Sequence, residues 1–332
     1  MGEFFLLDDY FVNLTLLITL FYHIRFAGWI FIMGLDRLIP YVGGATFVVL
    51  ALVTAVGGSG NIRNILASVF MVLWAARFIG FLLLGFWKTG WALRTRRGNL
   101  FDGIFTNIFP SLIRWISHMV WSWTGSLPIT ILNSPKIGSF HQPVFGSATD
   151  IVGTTLFIAG LLIESVADAQ KYAFRNGPGR LDRSLFMRTG CWRYSRHPNY
   201  FGEIILHFGI WLITITPSVD GCVKGRPAAI QYATVVAPIL SLLIVLFKLG
   251  LSLSEKGIAK RRYQNGIDWE GYSEYLKCTS ILIPMPSGVW MALPTVVKRT
   301  IGLEFPFYVF DPTKEGYTGY TAGKAEKWAE KS

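Results

Sequence analysis

The sequence predicts an all-α fold, a polytopic transmembrane helical bundle of about seven spans. The chain has 332 residues, of which 52% are hydrophobic and only 15% are charged. A soluble domain usually carries about 25% charged residues, so this composition is typical of a membrane protein. The apolar residues are also gathered into separate stretches that are long enough, or nearly long enough, to cross a bilayer.

The predicted spans are, in chain order, residues 11–33, 41–57, 65–87, 112–132, 148–166, 201–216 and 233–253. His23 and Arg25 interrupt the first of them, so a shorter helix followed by a re-entrant piece is the alternative there. The fourth predicted span is also interrupted, because it contains His118 and Pro128. Both histidines are expected to form hydrogen bonds within the bundle.

The basic residues predict the orientation of these spans. Most of the 31 lysines and arginines lie in the loops around residues 34–40, 88–111, 167–200 and 254–332. Because loops rich in lysine and arginine stay in the cytosol, the C-terminus is expected there and the acidic N-terminus on the opposite side. For a eukaryotic protein, the endoplasmic reticulum is the expected membrane.

The net charge of +11 raises nucleic acid as a partner, but the pattern of the charges argues against it. The basic residues lie between apolar stretches, and no compact basic domain is present. Cys191, Cys222 and Cys278 form no CxxC pair, and no histidines or acids have zinc-ligand spacing. The expected partners are therefore membrane lipids and a small molecule, with no nucleic acid and no metal.

A cluster of cationic residues precedes the sixth predicted span. Arg193, Arg196 and His197 stand just before Pro198, a residue suited to the first position of a helix. The start of a helix carries partial positive charge and free N–H groups, which bind phosphate or carboxylate. The alternative is that this cluster only anchors the span at the membrane surface.

Two polar stripes argue for a ligand. Asn199, Glu203 and His207 repeat every four residues and so share one face of the helix that follows Pro198. Acids inside a span are costly, and they usually face a polar cavity.

The second stripe lies on the helix that enters the largest cytosolic loop. Glu164, Asp168, Lys171 and Arg175 are spaced by four, three and four residues, which places them on one helical face. A self-compensating ionic stripe is the simpler alternative. However, Glu164 has no basic residue one turn away, which favours a cytosolic ligand-binding face.

The third informative stretch, residues 255–284, is predicted to form an amphipathic helix on the membrane surface. Its basic residues are suited to anionic lipid. Glu255 lies where the last span leaves the bilayer, and Tyr275 offers either a hydroxyl to a ligand or an interfacial ring.

Together these residues resemble a known family. The runs Glu164 to Arg175, Arg196-His197-Pro198-Asn199-Tyr200-Phe201-Gly202-Glu203, Tyr272 to Tyr275 and Leu282 to Pro286 resemble the steroid 5-alpha-reductase superfamily, closest to a branch without an assigned substrate. The resemblance spans residues 60–286 and is strongest across 160–203. It implies a membrane oxidoreductase that uses NADPH from the cytosolic side to reduce a carbon–carbon double bond of a lipid-like sterol, isoprenoid or enone.

The resemblance and the physical assignment together give a set of expected cofactor-binding residues. These are Glu164, Asp168, Lys171, Arg175, Arg193, Arg196, His197, Asn199, Tyr200, Glu203 and Tyr275. Arginines suit the phosphates of NADPH, and the amide of Asn199 and the acid of Glu203 suit its nicotinamide or ribose. On this basis residues 1–60 are N-terminal helices without a motif, 61–286 the reductase-like catalytic domain, and 287–332 a polar tail.

The chain departs from the family at the catalytic acid. Steroid reductases use a glutamate and a tyrosine from the N-terminal half, but no glutamate occurs here between Glu3 and Glu164, and Trp74 stands at the position of the tyrosine. The catalytic residues are therefore unknown, with Asp102 and His118 as candidates.

Two other functions stay open. The first is an S-adenosylmethionine-dependent methyltransferase of the isoprenylcysteine type, which shares the Arg-His-Pro turn but usually has a late pair of acids where this chain has Glu255 and Lys256. The second is a structural membrane protein without catalytic activity.

Overall fold

The computed structural model describes residues 8–33, 38–89, 109–177, 182, 185–249 and 251–312. These residues form helices, turns and one isolated β-bridge, without a strand among them, so the all-α prediction is confirmed. The helices are α1 (Val12–Met33), α2 (Ile39–Gly57), α3 (Ile62–Thr89), α4 (Phe109–Leu132), α5 (Pro135–Gly138), α6 (Ala148–Asn176), α7 (Pro198–Val219), α8 (Arg226–Ala233), α9 (Val236–Leu243), α10 (Leu251–Asn265), α11 (Trp269–Cys278), α12 (Ser287–Ala292) and α13 (Thr295–Arg299).

The apolar helices identify an integral membrane protein. In the described part of the chain, five helical segments are long and apolar enough to cross a bilayer: Ile39–Gly57, Ile62–Gly85, Ala148–Asn176, Pro198–Val219 and Arg226–Phe247. The helix α1 has 22 residues, and its part Val12–Ala27 is also apolar. The count of about seven spans stays a prediction.

In the last predicted span, residues 233–253, the structure is less regular than the single helix that we predicted. It is divided into α8, α9 and a π-helical stretch at Ile244–Leu249. Pro238 lies in the first turn of α9 and cannot donate a backbone hydrogen bond to the preceding turn. A proline fits best near a helix start, where its missing N–H would be unpaired anyway, and α9 begins two residues before Pro238.

Chain contacts divide the protein into two compact units. The first unit comprises residues 1–159 and 205–241, and the second comprises residues 160–204 and 242–332. The predicted boundaries at residues 60 and 286 do not coincide with this division, and they stay predictions.

The first unit is built around aromatic side chains. Here α2 packs against α3 and α4, and α1 packs against α4. The rings of Phe47 and Trp74 are fully buried with centroids 5.1 Å apart, and Trp121 lies 4.9 Å from Phe47. Both contacts are edge-to-face, the favoured geometry for such rings. Gly125 makes this packing possible, because a Cβ atom there would lie 2.7 Å from the Phe47 ring.

A buried ion pair joins the ends of several elements of this unit. Arg63 at the start of α3 donates from Nε and Nη2 to the two carboxylate oxygens of Asp150, at 2.9 and 2.7 Å. Arg63 also donates to the carbonyl of Pro143, and Thr216 of α7 donates to Asp150 at 3.0 Å. Because both charges are fully desolvated, removing either partner strands the other.

The second unit contains α10, which packs against α11, against the π-helical stretch and against the 3₁₀ turn Pro306–Tyr308. Ala259, Tyr272 and Phe310 form a small apolar core. Residues 287–312, the start of the predicted polar tail, carry two short helices and bury Trp290 and Tyr308.

The ion pair of the first unit gives a stability prediction. Replacing Asp150→Asn leaves the Arg63 charge buried without a counter-charge, so the free energy of unfolding should fall by about 3–5 kcal/mol. Asp220→Asn is the matched control, since Asp220 is exposed. Thermal unfolding in detergent measures both. An Asp150→Asn protein that unfolds at the temperature of the control contradicts the assignment.

Candidate functional site

The candidate site lies in the second unit, at the turn that leads into α7. As predicted, α7 begins at Pro198. The turn is held by the segment after α11: the backbone N–H of Arg196 donates to the Ser280 carbonyl at 2.8 Å, and the Ser195 hydroxyl donates to the Leu282 carbonyl at 2.7 Å. These bonds fix the backbone just before the helix start, so the side chains around it have defined positions.

A close helix contact places the two polar stripes side by side. Gly202, in the first turns of α7, lies against α6, where an added Cβ atom would be 2.7 Å from both the Gly160 carbonyl and the Glu164 N–H. Any larger residue would clash with backbone atoms, which cannot change rotamer to make room. Glycine therefore allows the start of α7 to lie directly on the part of α6 around residues 160–164 within this unit.

The stripes meet at a hydrogen bond between an amide and an acid. Asn199 Nδ2 donates to Asp168 Oδ1 at 3.2 Å. Asp168 and Glu164 are buried, with 6% and 4% of their surface exposed. The amide oxygen of Asn199 is buried and has no hydrogen-bond partner among the described residues. An unsatisfied buried acceptor is costly, and a ligand N–H is one way to satisfy it.

Cations and polar rings surround this hydrogen bond. The charges of Asp168, Glu203 and Arg175 all act on Tyr200, and those of Asp168 and Arg175 act on Lys171. The Lys171 ammonium lies 5.1 Å above the ring of Trp192, a cation–π distance. Lys171 is half-buried and Arg175 is exposed, so the cationic end of the α6 stripe is accessible from water.

Trp192 is itself anchored to α6. Its indole N–H donates to the Ala167 carbonyl at 3.1 Å, and the neighbouring N–H of Cys191 donates to the Gln170 side chain at 3.0 Å. The 3₁₀ turn Gly190–Arg193 is thereby fixed on α6. These bonds hold the Trp192 ring against α6, so the half-buried Lys171 has a defined position over that ring.

A second group, which we call the Arg196 cluster, consists of Arg196, His197, Glu255 and Glu304. Arg196 Nη1 donates to Glu255 at 2.5 Å, and Nη2 donates to Glu304. His197 Nε2 lies 2.7 Å from the second oxygen of Glu255. The His197 ring also stacks on Tyr200, with centroids 5.4 Å apart and planes at 5°. The Arg196 cluster therefore touches the residues around Asn199.

The charges in this cluster are strongly coupled. Burial alone would raise the pKa of Glu255, but Arg196 and His197 outweigh it and lower that pKa to about 2. Burial opposes the charged form of Arg196, yet Glu255 and Glu304 leave its pKa raised. Glu304 differs, because burial raises its pKa more than Arg196 lowers it. Glu255 is thus the firmly ionised partner of Arg196.

Tyr275 closes the site from α11. Its hydroxyl donates to the Trp192 carbonyl at 2.7 Å, and burial raises the pKa of the phenol. A neutral phenol that is committed to a backbone carbonyl acts as a support for the turn in this structure.

The structure brings most of the predicted binding residues together within one unit. Glu164, Asp168, Lys171, Arg175, Asn199, Tyr200 and Glu203 lie on the adjoining parts of α6 and α7. Arg196, His197 and Tyr275 are engaged with protein partners behind them, and the Arg193 side chain is exposed.

The candidate catalytic residues are not among the residues that form this site. His118 belongs to the first unit, where its ring packs edge-on to Trp121 at 5.9 Å. His207, the third member of the predicted stripe, also belongs to the first unit and packs on Trp74 at 4.5 Å. Asp102 lies outside the described residues. The stripe on α7 therefore contributes Asn199 and Glu203 to the second unit, and its histidine belongs to the aromatic core of the first.

Sequence reasoning missed Glu304 and Gly202. Glu304 is 108 residues from Arg196, and no local spacing links them. Gly202 does carry a signal, since glycine inside an apolar helix often has a packing reason, here with Glu203 beside it.

The fold and the site define an integral membrane protein with a polar, partly buried site at helix ends. Residues 28–279 match the model of a family described as "Protein of unknown function (DUF1295)", and the chain belongs to that family. No curated protein and no solved structure matches significantly. The matched region includes both stripes and Glu255, and it ends before Glu304.

The Glu255 carboxylate predicts a pH effect on stability. Because its pKa is lowered from 4.5 to about 2, its contribution is present at neutral pH and is lost as the pH falls from about 4.5 through 2. Glu255→Gln should lower the free energy of unfolding by on the order of 3 kcal/mol at neutral pH, and by progressively less toward acid pH.

Thermal unfolding from pH 7 to pH 3 measures the difference between the two proteins. Glu304→Gln is the control: because burial raises the pKa of Glu304, its ionised form costs stability at neutral pH, so the difference between this variant and the wild type should change with pH in the opposite direction. A Glu255→Gln difference that stays constant from pH 7 to pH 3 contradicts the assignment.

Proposed function

We propose that the protein is a membrane oxidoreductase that binds NADPH in its second unit and reduces a carbon–carbon double bond of a lipid-like substrate. The observation that carries this proposal is the hydrogen bond from Asn199 to Asp168. It leaves the buried amide oxygen of Asn199 able to accept a hydrogen bond from a ligand, and the cations of α6 follow Asp168 on the same helix. A nucleotide with phosphates at one end and a carboxamide at the other matches this arrangement.

The residues fit the parts of NADPH in a definite order. Lys171 and Arg175 lie at the cytosolic end of the predicted topology and supply charge for phosphates, and the N-terminus of α7 adds free N–H groups. Asn199 and Glu203 offer an acceptor and an acid to a carboxamide or to ribose hydroxyls. The Asn199 amide is already oriented by Asp168, which reduces the cost of ordering it on binding.

The Arg196 cluster supports this site from behind. Its guanidinium and the His197 ring are matched by Glu255 and Glu304, so their main task is to hold the turn before Pro198. Direct contact of Arg196, His197, Arg193 or Tyr275 with the cofactor stays a prediction.

When bound, NADPH supplies the hydride, and the protein's task is to bind and orient it and to provide a proton. His118 and Asp102 remain the candidate proton donors. The apolar spans suit a substrate that is dissolved in the bilayer. A cytosolic C-terminus and residence in the endoplasmic reticulum belong to the same proposal.

One observation favours a second candidate, the methyltransferase that uses S-adenosylmethionine. The late acid Glu255 contacts both Arg196 and His197, so an acid does reach the Arg-His-Pro turn. This acid is neutralised by the turn, however, and Lys256 stands where a second acid is usual. We therefore rank this function below the reductase.

A binding titration tests the proposal. The purified protein in detergent is titrated with NADPH, NADH and S-adenosylmethionine, and binding is measured by calorimetry. Asn199→Ala removes the proposed acceptor for the ligand and leaves the ligand donor unpaired, a loss of about 1–3 kcal/mol, so NADPH affinity should fall about five- to a hundred-fold. Arg175→Ala should also weaken NADPH binding through loss of a phosphate contact.

Lys277→Ala, at an exposed lysine on α11, is the control and should bind NADPH like the wild type. Binding of S-adenosylmethionine alone contradicts the reductase and favours the second candidate. A folded protein that binds none of the three contradicts both, and leaves a structural role.

A further inference from the structure

We propose that residues 287–310 form a membrane-docking surface that binds anionic lipid headgroups. The proposal concerns a part of the second unit that lies outside the matched family region, and it does not depend on NADPH binding. It follows from three features of this segment: its exposed apolar side chains, its contact with a membrane-spanning helix, and the sign of its accessible charges.

The segment exposes several large apolar side chains. Val296 and Ile301 are 72% and 71% exposed. Further exposed apolar residues of the segment are Val289, Met291, Phe307 and Val309. At the same time Trp290 is 1% exposed, so the segment is anchored to the unit while these side chains point away from it. A contiguous exposed apolar surface marks a protein or membrane contact.

The C-terminal part of the segment packs on a membrane-spanning helix. Phe247 lies in the π-helical stretch of the apolar segment that starts at Arg226, and its ring stacks on Phe305 and Phe307 with centroids 5.8 and 5.9 Å apart. The Tyr308 hydroxyl donates to the Leu246 carbonyl at 2.6 Å. The exposed apolar side chains thus belong to a segment that packs on an apolar, membrane-spanning helix, which favours lipid as the covering partner.

The accessible charges of the segment are cationic, with Arg299 exposed and Lys298 half-buried. Lys298 and Arg299 end α13, and the only acid between residues 287 and 310 is Glu304. Glu304 points inward to Arg196. Lys298 lies 5.4 Å above the Trp290 ring, with its ammonium near the surface. Apolar side chains beside lysine and arginine are typical of segments that lie in the interface of an anionic membrane.

Lipid docking would also act on the Arg196 cluster. Glu304 stands between the exposed Ile301 and the Phe305 ring that stacks on Phe247 of the membrane-spanning helix. Fixing this short stretch at the membrane surface therefore fixes one of the two carboxylates of Arg196. The segment thereby links the lipid surface to the turn before α7.

A fluorescent probe tests the docking directly. The three cysteines are replaced by alanine, and an NBD fluorophore is attached at Ile301→Cys, or at Glu274→Cys as an exposed control on α11. Each protein is placed in nanodiscs of phosphatidylcholine with or without phosphatidylserine. Lipid-borne doxyl groups quench a probe in the interface, and aqueous dithionite bleaches a probe in water.

The expected result is strong doxyl quenching and slow bleaching at position 301, with the reverse at position 274. Phosphatidylserine should strengthen the quenching at 301, and Lys298→Gln with Arg299→Gln should abolish that increase. Equal fast bleaching at both positions overturns the proposal. Slow bleaching without doxyl quenching also overturns it, because a protein contact then covers the segment.

Native protein gives an independent measurement that needs no cysteine replacement. Trypsin should cleave after Lys298 and Arg299 more slowly in phosphatidylserine nanodiscs than in phosphatidylcholine nanodiscs. Equal cleavage rates in the two lipids overturn the proposal.

Discussion

The buried guanidinium of Arg196 is the constraint on which the second unit depends. A buried charge is tolerated only when partners compensate its lost hydration. Arg196 obtains them from α10 through Glu255 and from the C-terminal segment through Glu304. His197 adds a contact to the same Glu255 carboxylate. One side chain thus draws together three stretches of chain and fixes the turn from which α7 starts.

A second constraint, the absence of a side chain at Gly202, places the polar stripes in contact. The turn held by Arg196 sets where α7 begins, and Gly202 sets how closely it approaches α6. Asn199 then reaches Asp168, and the cations of α6 lie on the same side. The polar site is therefore a consequence of packing, and its chemistry depends on the rigid frame that Arg196 and Gly202 provide.

The sequence predicts the features that depend on local order along the chain. Apolar runs predict the helices, Pro198 predicts the start of α7, and helical spacing predicts that Asp168, Lys171 and Arg175 act together. Features that depend on residues far apart in the sequence cannot be predicted in this way. The sequence assigns Glu304 to a polar tail, because no residue close to it in the chain indicates that it pairs with Arg196. The irregular helix after Ala233 follows from Pro238, whose effect on backbone bonding a count of apolar residues does not register.

The central claim is that the end of α6 and the start of α7 form a nucleotide site. Hydrogen exchange of the protein in nanodiscs, with and without NADPH, tests it most directly. The account predicts slower exchange in peptides from residues 164–176 and 195–204 with NADPH, and no such change with S-adenosylmethionine. Unchanged exchange in these peptides at saturating NADPH would contradict it.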